Sequence, residues 1–564
     1  MKSSSKRSRK KTNHKHIFVV GGVMSGVGKG IATASIGTIL ESMNYSVDLV
    51  KIDPYLNVDA GTMNPTEHGE VFVLNSGLET DQDMGNYERF LNKDAHDFSY
   101  MTSGMVYQEV INKERNLGYK GKCVEAIPHV RDAIIERFNK SAKESKSDVS
   151  IYEIGGTIGD FQNSLFYDAA RVMKTNNPDD VVFIMVSYLP IPGTLGEMKT
   201  RPTQNAIHQL SSFGIQADFI VARSTLSLDD RRKEKLSSAC NIPKEHIISA
   251  PDVESVYDIP INFENDKIGE LIVKKFKLPN RKADLKEWSK FVRKAKGDLE
   301  EIEIAIVGKY FGTGDFTLAD SYLSVIEAIK YSAFSQNRKA KLTWLNAKDF
   351  EDGKKKPEYL KNFAGVIVPG GFGETGIEGK LNVIKYCREK KIPYLGLCYG
   401  MQLLVIEFAR NVAKIPDANT VEIDPKTKNP IIDIMLDQKE KVSNHEYGGT
   451  MRLGSYPCLL KKGTVALGAY KKYGKERIDE NNVIDERHRH RYEVNPKYVE
   501  QLEKKGLIFS GTSPDGKLME VAELSKKEHP FFVAAQFHPE FKARPLSPHP
   551  LFTGFMVAAK KHNV

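Results

Sequence analysis

The stretch Ile392-Pro-Tyr-Leu-Gly-Leu-Cys-Tyr-Gly400 runs from an apolar segment into Cys398, with a glycine two positions to either side of the cysteine. The apolar segment predicts a buried strand, and the residues that follow predict a helix. Small residues at Gly396 and Gly400 allow the sharp turn that exposes a nucleophile above a sheet, with the helix N-terminus behind it. That environment favours a thiolate. The stretch therefore predicts an α/β sheet that presents a nucleophilic cysteine.

A lone cysteine at a strand end is more often a small buried hydrophobe, so two further segments carry the assignment. Gln536-Phe-His-Pro-Glu540 follows an apolar run and offers His538 as a base and Glu540 as the acid that orients it. Pro369-Gly-Gly-Phe-Gly373 also follows an apolar run, and its amides can face a developing oxyanion. Together the segments resemble the class I, triad-type glutamine amidotransferase domain, which releases ammonia from glutamine through a cysteine thioester. A protease could use the same Cys and His.

Length and composition predict an ordinary globular protein. A chain of 564 residues divides into two or more domains, each large enough for its own core. The five cysteines have no metal-ligand spacing, which indicates a reducing compartment, so we expect a cytoplasmic protein. No apolar stretch approaches the roughly 20 residues needed to cross a bilayer, so no membrane partner is expected.

The net charge of +9 is concentrated at the N-terminus. Residues 1–16 contain seven Lys or Arg and no acid, so 9 minus 7 leaves +2 for the rest of the chain. This distribution predicts a disordered basic arm over residues 1–15 rather than a binding face for nucleic acid. Nuclear import or nucleic-acid binding by the arm is the alternative, since short basic runs match such motifs easily.

Apolar strands alternate with helical segments from His16 onward, which is typical of parallel sheets covered by helices on both faces. The charged stretch 278–301 interrupts this pattern and predicts a helical linker. We expect two doubly wound α/β domains: a P-loop-like, Rossmann-type synthetase domain over 16–277 and a class I glutamine amidotransferase domain over 302–564.

The segment Gly21-Gly-Val-Met-Ser-Gly-Val-Gly-Lys-Gly30 follows a strand and opens a helix, as a phosphate-binding loop does, with Lys29 facing the phosphates. It departs from the standard P-loop, because five residues separate Gly22 from Gly28 and Gly30 replaces the Ser or Thr that holds magnesium. The metal must then be held by carboxylates at strand ends, where doubly wound folds place their ligands. Periodicity alone leaves the choice open among four candidates: Asp53, Asp81, Asp83 and Glu153.

Eight blocks make the resemblance close from residue 16 to residue 557. Segments 21–30, 51–59, 61–65, 68–73, 79–83, 153–160, 199–204 and 487–495 resemble the CTP synthase family. The resemblance implies that ATP phosphorylates O4 of UTP and that ammonia, channelled from the glutaminase site, displaces the phosphate to give CTP. It also implies Mg²⁺ as cofactor, CTP as feedback inhibitor, GTP as allosteric activator, a homotetramer and filament assembly.

The resemblance assigns roles residue by residue. For catalysis at the glutaminase site it implies Cys398 as nucleophile, His538 as base and Glu540 as orienting acid. For glutamine it implies Gly371, Tyr399, Gln402, Glu422 and Arg491, the first two through oxyanion amides. For ATP it implies Gly26, Val27, Gly28, Lys29, Gly30, Ile31, Lys51, Asp83 and Val253, with Asp252 beside the adenine. For UTP or CTP it implies Ser25, Asp160, Phe161, Gln162, Lys199, Thr200, Arg201, Pro202, Thr203, Gln204 and Lys235. For magnesium it implies Asp83 and Glu153.

Three positions depart from the family pattern. Gln162 replaces an acid near the pyrimidine site, so binding of UTP or inhibition by CTP is expected to differ. Glu374-Thr375 occupies the place of an Arg linked to GTP activation, which speaks against that activation. Tyr399 replaces the usual Leu after the nucleophile, which is tolerable because only its backbone amide is needed.

Two rival interpretations remain beside the CTP synthase hypothesis. A cobyrinic-acid-type amide synthase also joins a related ATP fold to a glutaminase, but the Lys-Thr-Arg-Pro-Thr-Gln block at 199–204 argues against it. A catalytically idle nucleotide sensor or filament scaffold is the third hypothesis. The complete set of Cys398, His538, Glu540 and Lys29 argues against an idle protein.

Overall fold

The structure, a computed structural model, describes residues 14–193, 197–309, 319–371, 373–435 and 449–562. The chain divides into two compact units. Within these ranges, the first unit contains the residues up to Val58 together with Phe98–Lys286, and the second contains Asp59–Asp97 together with the residues from Glu287 onward. The predicted basic arm lies outside the described residues except for its last two positions.

The first unit is built on one sheet of seven parallel strands. In spatial order the strands are Tyr100–Thr102, Val47–Asp53, Val149–Ile154, Lys15–Gly21, Val181–Tyr188, Phe219–Ser224 and Ile247–Pro251. The central strands are apolar runs buried on both faces, as the strands of a helix-covered parallel sheet must be. Phe18 stacks on Tyr152 and Phe183 of its two neighbours, with ring centroids 4.9 and 5.3 Å away.

Helices connect these strands and complete the first unit. They are Lys29–Ser42, Ser103–Arg115, Arg131–Ser145, Ser164–Asn176, Arg201–Ser212, Asp230–Cys240, Ile259–Asn265 and Ile268–Lys275. The strand Lys15–Gly21 lies at the centre of the sheet, so the loop that follows it opens at the carboxyl edge. That edge is where doubly wound folds bind their ligands.

The second unit is built on a nine-stranded mixed sheet. Its first five strands are parallel: Lys339–Asn346, Glu301–Gly308, Gly365–Val368, Tyr394–Leu397 and Phe532–Ala535. Four antiparallel strands extend it: Met519–Glu523, Ile508–Thr512, Arg452–Leu460 and Val483–His490. A three-stranded sheet contains Ala418–Thr420, Asn429–Ile434 and Tyr492–Val494, and a ribbon pairs Phe72–Val73 with Glu79–Thr80.

The helices described in this unit cover the sheet and its insertions. They are Pro65–His68, Asp83–Leu91, Lys286–Lys296, Leu323–Ser335, Ala347–Glu351, Ile377–Lys390, Tyr399–Asn411, Val465–Tyr473, Pro496–Glu503 and Pro550–His562. The helix Lys286–Lys296 falls inside the predicted helical linker, and its Trp288, Phe291 and Val292 are buried.

The predicted fold class is confirmed, since both units are α/β with parallel strands where the apolar runs were found. The packing units and the predicted sequence domains differ at Asp59–Asp97, because this segment packs within the second unit. The predicted boundaries at 277 and 302 stay a prediction. Among the helices of the described ranges, none combines the length and apolar character needed to cross a bilayer.

Candidate active sites

Cys398 lies in a strained turn between strand Tyr394–Leu397 and helix Tyr399–Asn411. Its φ is +48° and its ψ is −100°, a conformation that a non-glycine residue adopts only when its surroundings enforce it. The close packing requires glycine at position 400, because a Cβ there would lie 2.2 Å from the carbonyl oxygen of Val368. The Cys398 amide donates to the carbonyl of Ala535 at 2.7 Å. Adjacent parallel strands therefore hold the predicted elbow.

His538 and Glu540 follow the neighbouring strand, Phe532–Ala535, and lie beside the elbow. His538 Nδ1 donates to Glu540 Oε1 at 2.7 Å, and the imidazole stacks on Phe541 with ring centroids 5.0 Å apart. A Cβ built on Gly370 would lie 2.9 Å from His538 Cε1 and 3.8 Å from Cys398 Cβ, so both side chains face the same glycine. His538 Nε2 is buried and has no hydrogen-bond partner among the described residues. That nitrogen is available to exchange a proton in the cavity.

The surroundings of His538 favour its charged form. Burial lowers the pKa of the imidazole, but the negative charges of Glu540 and Cys398 oppose that effect and raise the pKa to about 10. An imidazolium beside a thiol is the arrangement that supports a thiolate nucleophile. The arrangement can therefore perform acyl transfer from an amide.

A cavity of about 100 Å³ opens beside Cys398. Its wall includes Gly370, Gly371, His538, Glu540 and Phe541. Residues from other parts of the sequence complete it: Pro65, Glu70, Val71, Ser321, Tyr322, Val325 and Arg489. Tyr399 opens helix Tyr399–Asn411 ahead of the Met401 and Gln402 amides, which bond to the Cys398 carbonyl, and the Tyr399 amide can bind an oxyanion here. The cavity suits a small amide substrate.

The residues expected to hold glutamine lie in the same unit. Gln402 is buried, and its Nε2 donates to the carbonyl of Tyr492 at 3.0 Å. Glu422 accepts from the amide of Gly373 at 2.9 Å. Burial raises the pKa of Glu422, while that hydrogen bond and the charges of Lys309 and Lys380 oppose the rise. Arg491 follows the strand that contributes Arg489 to the cavity wall.

Lys380 lies beside Tyr399, one of the residues expected to supply an oxyanion amide, and the sequence did not indicate this contact. It is 1% exposed, and its Nζ lies 5.1 Å from the centre of the Tyr399 ring. Burial and the neighbouring charge of Lys309 lower the pKa of Lys380 to about 7, although the charge of Glu422 opposes the shift. Tyr399 OH donates to the carbonyl of Gly373 at 3.2 Å. The tyrosine at this position thus contributes side-chain contacts beyond the amide considered from sequence.

Sequence reasoning missed two residues near the thiol. Gln536 Nε2 lies 3.7 Å from Cys398 Sγ, and only its position just after a strand could have drawn attention to it. Glu70 lines the cavity and accepts hydrogen bonds from the amide of Ser324 at 3.2 and 3.1 Å. Burial raises the pKa of Glu70 to about 7, Ser324 and Arg89 oppose the rise, and Glu540 adds to it. No local pattern could place Glu70 beside a cysteine more than 300 residues away.

In the first unit, the glycine-rich loop has the geometry of a phosphate-binding turn. Gly28 precedes helix Lys29–Ser42 with a left-handed φ of +84°, and no side chain caps the helix. A Cβ on Gly21 or Gly22 would lie 2.7 or 2.6 Å from neighbouring oxygens, so the loop requires glycine there. Lys29 Nζ donates to the carbonyl of Gly156 at 2.6 Å. The first-turn amides and Lys29 can receive phosphate oxygens.

Lys51, Asp53 and Glu153 meet at the carboxyl edge of the same sheet. Lys51 Nζ lies 3.5 Å from Asp53 Oδ1 and 3.6 Å from Glu153 Oε1. All three side chains are buried. Asp81 and Asp83 belong to the second unit, where Asp83 begins the helix Asp83–Leu91 and its amide donates to Asp81 Oδ1 at 2.9 Å.

The carboxylates described above can hold magnesium only together with other ligands. Within the described ranges, no three His, Cys, Asp or Glu side chains gather into a group able to hold a metal ion. Mg²⁺ commonly uses one or two carboxylates plus phosphate oxygens, so a ready-made protein cage is not required. Glu153, 2% exposed beside the phosphate-binding loop, fits that role.

The residues expected to hold a pyrimidine nucleotide form two groups. Asp160 accepts from the amide of Thr157 at 2.5 Å, and the following Phe161 is 90% exposed. Lys199 Nζ donates to Glu197 at 2.7 Å, and Lys199, Lys235 and Arg232 together lower the pKa of that carboxyl. The other residues of this set differ in solvent exposure. Ser25, Gln162, Arg201 and Lys235 are exposed, Pro202 is half-buried, and Thr200, Thr203 and Gln204 are buried.

An apolar cavity of about 100 Å³ adjoins the phosphate-binding loop. Its wall comprises Gly28, Ile31, Ala32, Arg223, Ala250, Pro251, Val256, Ile259, Asn262 and Phe263. Arg223 donates to Asp252 at 2.9 Å. The predicted Val253 is absent from this wall, whereas Val256 and Phe263, which sequence reasoning missed, form part of it. A flat aromatic base is the kind of group this cavity can take.

Comparisons with known proteins cover both units. Residues 15–278 match the family model described as CTP synthase N-terminus, and residues 317–558 match the class I glutamine amidotransferase model. The chain is 48% identical to a CTP synthase of Caldanaerobacter subterraneus, over 96% of this chain and 98% of that protein. It is also 48% identical to a CTP synthase of Pyrococcus furiosus, over 97% and 98% of the two chains.

One solved structure similar to the chain is the Trypanosoma brucei CTPS glutaminase domain with bound acivicin. It is 33% identical, covers 46% of this chain and 94% of its own, and aligns with a TM-score of 0.41.

Proposed function

This chain belongs to the CTP synthase family and converts UTP to CTP with ATP and the amide nitrogen of glutamine, and we propose that the two sites described above divide that reaction. The observation that carries the division is the grouping of Cys398, His538 and Glu540 around one cavity of the second unit. The first unit supplies the phosphate-binding loop with Lys29. The protein is thus a ligase with a glutaminase half and a synthetase half.

In the glutaminase half, the thiolate of Cys398 attacks the side-chain amide carbon of glutamine. Amides of Gly371 and Tyr399 stabilise the oxyanion, and His538 gives a proton to the departing ammonia. Water then hydrolyses the thioester, with His538 acting as the base. Glu540 orients the imidazole through Nδ1, which the 2.7 Å hydrogen bond supports. Gln402, Glu422 and Arg491 hold glutamine, with Arg491 suited to its α-carboxylate.

In the synthetase half, ATP phosphorylates O4 of UTP, and ammonia displaces the phosphate from C4. Phosphorylation converts a poor leaving oxygen into a good one, and Lys29 with Lys51 neutralises charge on the transferring group. The apolar cavity beside Gly28 supports adenine binding there. The basic group around Lys199 and Lys235 supports binding of the UTP triphosphate.

Magnesium is the cofactor that we propose for the phosphoryl transfer. Asp83 and Glu153 are its proposed carboxylate ligands, together with phosphate oxygens. The metal supplies charge neutralisation on the transferring phosphoryl group when it is bound.

Further proposals concern assembly and regulation. We propose a homotetramer able to form filaments, a cytoplasmic location, feedback inhibition by CTP modified at Gln162, and sequence domains bounded at 277 and 302. The exposed Glu374 and Thr375 support weak activation by GTP, because neither side chain offers a cation. A GTP titration of the glutamine-dependent reaction tests this point, and an ordinary activation curve would contradict it.

The central experiment follows the nitrogen atom. Purified protein with ATP, Mg²⁺, UTP and amide-¹⁵N glutamine should place the label in the 4-amino group of CTP. Absence of CTP would contradict the family function, and an idle sensor would behave in that way.

The paired experiment uses Cys398→Ala. The variant should lose glutamine-dependent synthesis and keep synthesis from added ammonia, because only the glutaminase half uses the thiol. Loss of both activities would indicate that Cys398 has a structural role.

A further inference from the structure

The segment Asp59–Asp97 comes from the first half of the sequence but packs within the second unit. Its helix Asp83–Leu91 contains Glu88, which is 1% exposed. Arg487 Nη1 donates to Glu88 Oε2 at 2.9 Å, and Arg487 Nη2 donates to Glu88 Oε1 at 3.0 Å. Two parallel bonds of this kind fix both direction and distance. Glu88 therefore holds the guanidinium of Arg487 in one position.

Arg544 connects the same carboxylate to the backbone after the catalytic histidine. Its Nη2 donates to Glu88 and, at 2.9 Å, to Asp94 Oδ1. Its Nη1 donates to the carbonyl oxygens of Phe541 and Ala543 at 2.8 and 3.2 Å. We call Glu88, Asp94, Arg487 and Arg544 the Glu88 cluster. Burial opposes the charge of Asp94, but the two guanidinium groups hold its pKa below the usual value.

The backbone of Arg487 touches the catalytic residue directly. The amide of His538 donates to the carbonyl of Arg487 at 2.7 Å. The side chain of Arg487 is fixed further by Asn75 Oδ1 at 2.7 Å and by the carbonyl of Val73 at 3.1 Å. Because three partners hold the side chain of Arg487, the carbonyl of this residue is a rigid acceptor for the His538 amide.

The turn Pro539–Lys542, which contains Glu540, is held from the other side. Arg544 binds the carbonyl of Phe541 within this turn. The Phe541 ring lies between His538 and Phe72, with centroids 5.0 and 5.1 Å away. The Glu88 cluster thus contacts the backbone at both ends of the segment that carries the catalytic base and its orienting acid.

We propose that Glu88 is a positioning residue of the glutaminase, which fixes His538 through Arg487 and fixes the Glu540 turn through Arg544. The inference rests on the proposed roles of His538 and Glu540. The helix that begins at Asp83, a proposed magnesium ligand, also supplies the anchor of the glutaminase base.

The alternative is that the cluster serves stability alone, since removing one member of a buried ion pair is destabilising wherever it occurs. A matched control exists in the same unit. Arg388 donates to Glu407 through Nε at 3.0 Å and through Nη2 at 2.8 Å, and Glu407 is fully buried. Glu407 lies in helix Tyr399–Asn411, and within the described ranges no hydrogen bond or ion pair joins Arg388 or Glu407 to the His538 segment. Glu407→Gln therefore measures the effect of breaking a buried pair of the same type.

The experiment compares full-length Glu88→Gln and Glu407→Gln with the parent. Glu88→Gln should lower kcat for glutamine hydrolysis by about 10-fold or more with little change in KM, because small misplacements of a catalytic group cost rate rather than ground-state binding. Synthesis of CTP from added ammonia should change less than about 2-fold. Glu407→Gln should retain both activities.

A second readout reports on the imidazole itself. In a Cys123→Ser background, which removes the exposed thiol, the rate of Cys398 alkylation by iodoacetamide is measured against pH. The pH profile should shift in Glu88→Gln and stay unchanged in Glu407→Gln. A merely structural role of Glu88 would leave the profile unchanged.

Three outcomes would overturn the proposal: a parental kcat on glutamine in Glu88→Gln, an equal loss of glutaminase in both variants, or an unshifted alkylation profile. If Glu88→Gln does not fold, the milder Asp94→Asn, whose side chain is 42% exposed, takes its place with the same expected direction. Failure of the parent to make CTP from ammonia would contradict the proposed function instead, and that measurement is independent of Glu88.

Discussion

The elbow at Cys398 and the phosphate-binding loop at Lys29 are both strand-to-helix turns rich in glycine, but they are prepared for chemistry in different ways. At the elbow, protein groups already hold the nucleophile and its base: Cys398 bonds to Ala535 and His538 bonds to Glu540. At the carboxyl edge of the first-unit sheet, onto which the loop opens, charged groups pair with one another, as Lys51 does with Asp53 and Glu153. The thiol site is therefore assembled by the fold, whereas Lys51, which we propose to neutralise the transferring phosphoryl group, is paired with protein carboxylates.

Lys29→Met gives the largest expected effect and separates the two sites. Loss of this cation from the phosphoryl-transfer site should reduce CTP synthesis by about 100-fold or more from both glutamine and ammonia. Basal glutamine hydrolysis should remain, because the elbow lies in the other unit. Lys277→Met, at an exposed position 72% accessible to solvent, is the matched control and should be neutral. A loss of glutaminase equal to the loss of synthesis would show that the two sites do not act independently.

Gly400→Ala changes the elbow through steric overlap alone. The added Cβ would lie 2.2 Å from the carbonyl of Val368, so the strained turn must shift. Glutaminase kcat should fall by roughly 100-fold while ammonia-dependent synthesis persists. Gly468→Ala is the control, since its Cβ meets no heavy atom within 4 Å in helix Val465–Tyr473. Parental hydrolysis of glutamine by Gly400→Ala would show that the elbow tolerates movement.

Much of the structure around these two sites could be predicted from the sequence, because apolar runs and glycine spacing are local signals. They located both sheets, the elbow and the loop. The environment of Lys380 could not be predicted, since a lysine in the sequence of helix Ile377–Lys390 resembles a surface residue. Glu70 and Glu88 act beside residues more than 300 positions away, and only packing brings such groups together. Pairing of Lys51 with Glu153 likewise depends on strand register.

Lys380→Met tests how much the burial of this lysine beside the elbow destabilises the protein at neutral pH. The folded pKa of Lys380 is about 7 against an ordinary value of 10.5, so the unfolded chain binds more protons between these pH values. Stability from this group is present above pH 10.5 and is lost as pH falls toward 7, at about 1.4 kcal/mol per pKa unit as an upper limit. The variant should therefore be more stable than the parent at pH 7, and the difference should shrink as pH rises. Denaturation midpoints by circular dichroism measure it, and a difference independent of pH would contradict the shift.

Glu70→Gln is expected to give the smallest effect, with the opposite dependence on pH. The folded pKa of Glu70 is about 7 against 4.5, so its contribution to stability is present below pH 4.5 and is lost as pH rises through 7. The groups that act on it are Arg89 and Ser324, which favour the carboxylate, and Glu540, which opposes it. The parent should therefore lose stability relative to Glu70→Gln between pH 5 and pH 7, by up to about 3 kcal/mol. A Glu70 carboxylate at this cavity wall would repel Glu540. The sign of the stability difference between the parent and the variant therefore reports whether Glu70 stays neutral in the folded protein. A parent that gains stability over the variant across this range would show that Glu70 is held as a carboxylate, as charged groups in the phosphate site are.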